Sequence, residues 1–95
     1  MPQASTDIST EHASRYLQQL CKHWSHKMQV EFDPLRGRIV FPSGAVTMLQ
    51  ASPTGLAVLI ETDDEQALDQ LEVVVAEHIK RFAFREELPF NWTRH

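Results

Sequence analysis

Five histidines and one cysteine are the most chemically versatile side chains of this 95-residue sequence, and four of the six fall between His12 and His26. Thiolate and imidazole are ligands for zinc and other transition metals, so Cys21-x-His23-x-x-His26 looks at first like a metal cluster. Helical geometry weakens that reading. At 100° per residue His23 and His26 share a face, but Cys21 points about 200° away from His23. His12 lies near the His23 face but roughly 16 Å away along the axis, at 1.5 Å per residue. One helix therefore offers two ligands where a structural zinc site takes four. His78 adds a third only if two helix ends meet. His23, His26 and His78 are the metal candidates, set against a simpler reading in which histidines near a helix C-terminus offset its dipole and face water. No cofactor is expected.

His23 and His78 carry a second chemistry. Lys22 adjoins one, and Lys80 and Arg81 lie close to the other. If the helices that bear them pack side by side, Arg15, His23, His78, Arg81 and Arg85 line one cationic cleft. Such a cleft suits a small carboxylate or phosphate, with arginine supplying paired donors. The competing expectation, preferred on the sequence alone, is that Arg15 and Arg85 pair with Glu77, Glu86 or Glu87 and only fix the tail. Cys21 reads as a small, half-buried hydrophobe, because a reactive thiol needs a histidine on its own face. Trp24, Trp92, Phe82 and Phe84 read as core aromatics, since a base-stacking platform needs interleaved basic residues. The seven acids from Glu61 to Glu77 form a solvated face and a helix start. The chain has no Gly-rich phosphate loop, nucleophile elbow or H-E-x-x-H motif.

The elements that must position these residues follow from periodicity. Ala4 to Ser9 offers a weakly patterned edge strand. Thr10 is the expected N-cap of a first helix, with Glu11 at the positive end of its dipole. Ala13, Leu17, Leu20 and Trp24 recur at helical spacing, flanked by Tyr16 and Cys21, to about His26 or Lys27. The period then changes to two. Met28–Phe32, Arg38–Phe41, Ala45–Ala51 and Leu56–Thr62 read as four strands of an antiparallel meander. Its turns are Asp33–Gly37, Pro42–Gly44 and Ala51–Gly55; in the first, Pro34 presets φ and Gly37 tolerates a positive φ. Thr62-Asp63-Asp64-Glu65 is a capping-box pattern. A second helix runs to Phe82 or Phe84 on a stripe of Leu68, Leu71, Val75, Ile79 and Phe82. The segment Leu88–Trp92 reads as an extended tail laid on the body of the domain. Both faces of Leu56–Ile60 are apolar, as are both faces of Ile39–Phe41. One face is covered by the helices; the other calls for the tail or a second copy of the chain, hence a homodimer through the sheet.

Composition bounds the function. Residues 1–95 make one domain with a modest core. Apolar residues at 42% and charged residues at 23% are ordinary for a globular protein. A net charge of −4 argues against a general nucleic-acid or acidic-membrane binder. A lone cysteine makes no intrachain disulfide, no signal sequence is visible, and no apolar run approaches the roughly 20 residues of a membrane span. A cytoplasmic location is the simplest expectation.

Arg15-Tyr16-Leu17, Leu20 and His23-Trp24, then His78, Arg81-Phe82-Ala83, Arg85-Glu86 and Trp92, resemble the bacterial domain of unknown function numbered twenty-two-eighteen. The resemblance spans about Thr10 to Trp92. It implies an α+β fold of order β-α-β-β-β-β-α, an antiparallel sheet with two helices on one face, similar to half of the TATA-binding-protein fold or to the C-terminal domain of phosphohexomutases. It also implies a link to siderophore and iron utilisation, and no established activity. The expected function is a non-catalytic accessory or ligand-binding domain. The alternatives are an enzyme or metal-dependent protein using the helix-end histidines, and a protein-interaction module acting through the sheet face.

Overall fold

A computed structural model describes residues 2–95. The elements are β1 (Gln3–Ser9), α1 (Ala13–Trp24), β2 (Gln29–Phe32), β3 (Arg36–Val40), β4 (Val46–Ala51), β5 (Gly55–Glu61), α2 (Glu65–Phe82) and β6 (Thr93–Arg94). The order β-α-β-β-β-β-α holds, with one short strand added at the end. All strand pairs are antiparallel, in the spatial order β2-β3-β4-β5-β1-β6.

β2 to β5 form the expected meander because each turn has its own chemistry. Asp33 Oδ1 accepts from the Leu35 and Arg36 amides at 2.8 Å, closing the first turn and holding its carboxyl below the usual range. Gly37 is thereby already inside β3, opposite Phe32. It has no positive φ; among the described residues only Gly44 does, at 94°, in the second turn. Gly37 is needed for closeness instead. A Cβ there would stand 2.7 Å from Cys21 Sγ, so the missing side chain lets α1 settle onto β3.

The period of two sorts the strands into faces. Ile8, Leu56, Val58, Ile60, Leu49 and Ile39 are buried on one face. Against it pack Leu17, Leu20, Cys21 and Trp24 of α1 and Leu68, Val75 and Ile79 of α2. Each large aliphatic side chain buried there contributes about 1.5–3 kcal/mol. The single core thus sits between sheet and helices.

Both helix starts differ from the sequence expectation. α1 begins at Ala13 behind His12, which makes no side-chain cap. Thr10 accepts from the His12 amide at 3.1 Å, but its hydroxyl is directed to another partner described below. At α2 the cap is Asp64, which accepts from the Gln66 amide at 3.0 Å, while Thr62 accepts from the Asp64 amide. Both threonines stand two residues upstream of the residues they serve.

The tail is laid on the body of the domain as expected, but not over the second face of the sheet. Leu88 is buried, Phe90 and Trp92 pack on the core, and Lys80 lies 5.5 Å from the centre of the Phe90 ring. The Arg94 guanidinium bonds Asp69 and Glu72 of α2 at 2.6 Å each. The tail therefore runs back along α2 on the helix side, and Thr93–Arg94 pairs with β1, so β1 is not an edge strand. The second face of the sheet stays open, and Met48, Ala57 and Leu59 on it are only half-buried. Among the described residues no helix is long and apolar enough to cross a membrane.

Candidate functional site

Helices α1 and α2 are in contact, and Tyr16 meets Glu86 while Trp24 meets His78, so they run antiparallel with the start of α1 at the end of α2. At that junction the Tyr16 hydroxyl donates to Glu86 Oε2. The Thr10 hydroxyl lies 3.1 Å from both Glu86 oxygens and donates to the same carboxylate. Tyr16 is buried because its ring belongs to the apolar stripe of α1. Glu86 is brought in by the turn that ends α2, where the Ala83 amide donates to Ile79 and the Glu86 amide to Ala83. Burial, and then the bond to Glu86 and its charge, push the Tyr16 phenol upward, against a smaller pull from Thr10 and Arg15. The phenol is therefore a neutral donor at ordinary pH.

The residues beside Tyr16 and Glu86 in the chain are Arg15 and Arg85, and both line one pocket of about 470 Å³ with His12, Gln19, Phe82 and Phe84. Both guanidinium-bearing residues are exposed. Arg85 stacks over the Phe84 ring at 5.4 Å. The expected pairing of these arginines with Glu77, Glu86 or Glu87 is not found. Glu86 is engaged by hydroxyls, Glu77 lies 3.9 Å from Lys80, and among the described residues the other ion pairs belong to Arg94. Two guanidinium groups thus face one cavity, and among the described residues no carboxylate is bound to either. The Glu86 charge lies at the wall, so the three groups sum to one net positive charge.

His23 and His78 do converge, with ring centres 5.6 Å apart, but on an aromatic cluster rather than on the cleft. Trp24 lies 4.9 Å from His78 and 5.3 Å from Phe41, and Phe82 lies 6.0 Å from His23. His78 Nδ1 is 2.7 Å from the Val74 carbonyl oxygen, which can only accept, so Nδ1 carries a proton and donates it there. Phe82 lines the arginine pocket and touches His23, separating the two groups. The single five-residue cleft is therefore divided: Arg15 and Arg85 share the pocket, His23 and His78 share the aromatic cluster, and exposed Arg81 lines neither. His26 borders a separate depression with Met28, Val40 and Pro42. Among the described residues no group of three or more His, Cys, Asp or Glu side chains is placed to hold a metal ion. Cys21 is buried, and burial pushes its thiol up to about 11. It is fully rather than half-buried, a hydrophobe in the core.

His12, Gln19 and Phe84 were not placed at the cleft by the sequence, and Glu86 entered only as an ion-pair partner of the arginines rather than as the acceptor of Tyr16 and Thr10. The usable signal lay in the two dipeptides Arg15-Tyr16 and Arg85-Glu86, each placing a guanidinium beside a group that meets its counterpart across the helix pair.

A two-layer α+β domain, with a six-stranded antiparallel sheet under two helices and an arginine-lined pocket at their junction, is the class this chain defines. It belongs to the uncharacterized bacterial family DUF2218, whose pattern matches residues 5–93. The NMR structure of PA4090 from Pseudomonas aeruginosa is similar, with 38% identity and a TM-score of 0.82 over 98% of this chain and 96% of that one. No curated protein matches the chain.

Proposed function

We propose that this protein is a non-catalytic ligand-binding domain whose pocket takes a small organic anion. The observation that carries the reading is that Arg15 and Arg85 line one cavity, and that among the described residues neither is paired with an acid. A guanidinium offers a planar fork matched to carboxylate or phosphate. Phe82 and Phe84 add apolar wall, so a carboxylate with an aryl or apolar body fits better than a bare anion. Glu86, fixed by Tyr16 and Thr10, sets the shape of the wall and limits the net charge a ligand can bring. The siderophore link implied by the family resemblance is compatible with this chemistry, since catecholate iron chelates combine negative charge with aryl rings.

The test is calorimetric titration with benzoate, inorganic phosphate and a ferric catecholate chelate, using wild type, Arg15→Gln and Arg85→Gln. Loss of one charge-assisted contact weakens binding by about tenfold or more. Saturable binding of at least one probe, weakened in both variants, supports the reading. Absence of binding for all three, or binding indifferent to both substitutions, overturns it.

A further inference from the structure

The open face of the sheet is a second surface, independent of the arginine pocket. Strand register arranges its side chains in rows. One row crosses all six strands as Glu31, Arg38, Met48, Leu59, Ser5 and Thr93. The next runs Arg36, Gln50, Ala57 and Asp7. Arginines thus stand on β3, an acid stands on β1, and half-buried Met48, Ala57 and Leu59 lie between them over a shallow depression of about 650 Å³. Among the described residues Arg36, Arg38 and Asp7 make no ion pair.

We propose that this face is a two-fold interface between two copies of this chain. Two sheets packed face to face with their strands aligned by a two-fold rotation need an axis lying between them, either across the strands or along them. An axis across the strands stacks β3 on β3 and sets the arginines of one copy against those of the other. An axis along the strands, midway between β4 and β5, exchanges β3 with β1 and β4 with β5. That axis places Arg36 against Asp7 of the second copy, twice by symmetry, and Met48 against Leu59, also twice. Arg38 then meets Ser5, and Gln50 meets Ala57. The six-strand order is centred on this axis, with β2 falling opposite β6. Only at the end of the strands does the match lapse, where Glu61 opposes Val46 at the rim and its carboxylate reaches water. Strand directions stay aligned between the copies, the arrangement in which two twisted sheets interdigitate across about 10 Å. An apolar centre with charges matched at its margin is the anatomy of a self-complementary contact, and like-charge opposition excludes the alternative axis.

Sedimentation equilibrium tests the interface by charge exchange. The chain mass is 10.9 kDa, and the wild type is expected at twice that value. Asp7→Arg and Arg36→Asp each create two like-charge contacts, and each should weaken dimerisation by about tenfold or more. The Asp7→Arg/Arg36→Asp double variant should recover the wild-type affinity. Both positions are exposed, so the fold survives, which circular dichroism checks. A wild type that stays monomeric at every concentration overturns the proposal, whether the face is bare or holds a small ligand. So does a dimer that ignores the single substitutions, or a double variant as weak as either single one.

Discussion

The Tyr16 hydroxyl donates to Glu86 across 70 residues of chain, tying the first turn of α1 to the turn that ends α2. Thr10 donates to the same carboxylate, so three segments meet at one acid. Tyr16→Phe keeps the ring in the core but leaves a part-buried carboxylate short of a donor, which should cost about 1–3 kcal/mol by urea denaturation at neutral pH. The raised phenol adds a pH signature. Below 10.0, the ordinary value, folded and unfolded states both hold the proton. Above it the unfolded chain ionises first, so the folded state binds more protons and stability falls as pH rises. That alkaline decline should be shallower in Tyr16→Phe; an equal decline would show that the phenol gains nothing from its site.

Gly37 and Cys21 make a paired prediction. A methyl at residue 37 meets the Cys21 sulfur at 2.7 Å, inside a core that leaves neither group room. Gly37→Ala should destabilise the protein by about 1–3 kcal/mol through overpacking. Cys21→Ala alone should cost less than a large aliphatic truncation. Combined, the two should be less damaging than their sum, because the second removes the atom that the first strikes. Additive effects in a double-mutant cycle would rule out the contact as the cause.

The same pair shows where the sequence stopped speaking. The alternation in Leu56–Ile60 and the helical recurrence of Leu17, Leu20 and Trp24 announced strands, helices and layer order, because periodicity is a local property of the chain. A glycine beside a turn looks the same whether it supplies a positive φ or a close approach, and only the distance to Cys21 separates them. The tail was harder still. Leu88-Pro89-Phe90-Asn91-Trp92 alternates like a strand and holds a proline like a loop, while the contact that places it, Arg94 on Asp69 and Glu72, lies outside the segment. The arginine cleft was foreseen in its residue types and not in its membership. Nothing local could say that the Phe82 ring would stand between Arg85 and His23.

Cys21 should be chemically silent until the protein unfolds. Alkylation by iodoacetamide near neutral pH needs access and thiolate, and both are withheld by burial. The native chain should react far more slowly than the chain in urea. Since burial carries the thiol from 9.0 to about 11, its stabilising contribution is complete below pH 9.0 and is lost between the two values as pH rises. Cys21→Ala should flatten the stability profile across that window. Rapid modification of the native thiol would contradict its burial.

The Arg94 contacts predict a small energy and a local readout. Both partners bond at 2.6 Å, but Arg94 and Asp69 are exposed, and exposed pairs are worth about 0.2–1 kcal/mol. Arg94→Ala should leave global stability within that range. It should, however, loosen β6 and speed amide exchange along β1, whose pairing on that side is short, the ladder at Ala4 and Ser5 and the bond from the His95 amide to the Gln3 carbonyl. Unchanged exchange at those amides would show that β6 holds without the guanidinium.

His78 separates the two halves of the sequence-expected cleft. Its ring packs on Trp24 and His23, and its Nδ1 proton goes to the Val74 carbonyl of its own helix. That carbonyl lies four residues upstream and stays within reach of the helix amide when the imidazole bond is removed. His78→Phe therefore preserves the aromatic contact and should change stability by less than about 1 kcal/mol, whereas His78→Ala opens a gap beside Trp24 and should cost about 1–3 kcal/mol. Neither change touches the pocket of Arg15 and Arg85, so benzoate affinity in His78→Phe should equal that of the wild type while Arg15→Gln weakens it. A loss of affinity in His78→Phe comparable to that in Arg15→Gln would mean that the histidine does reach the ligand, and that Phe82 swings aside when the pocket fills.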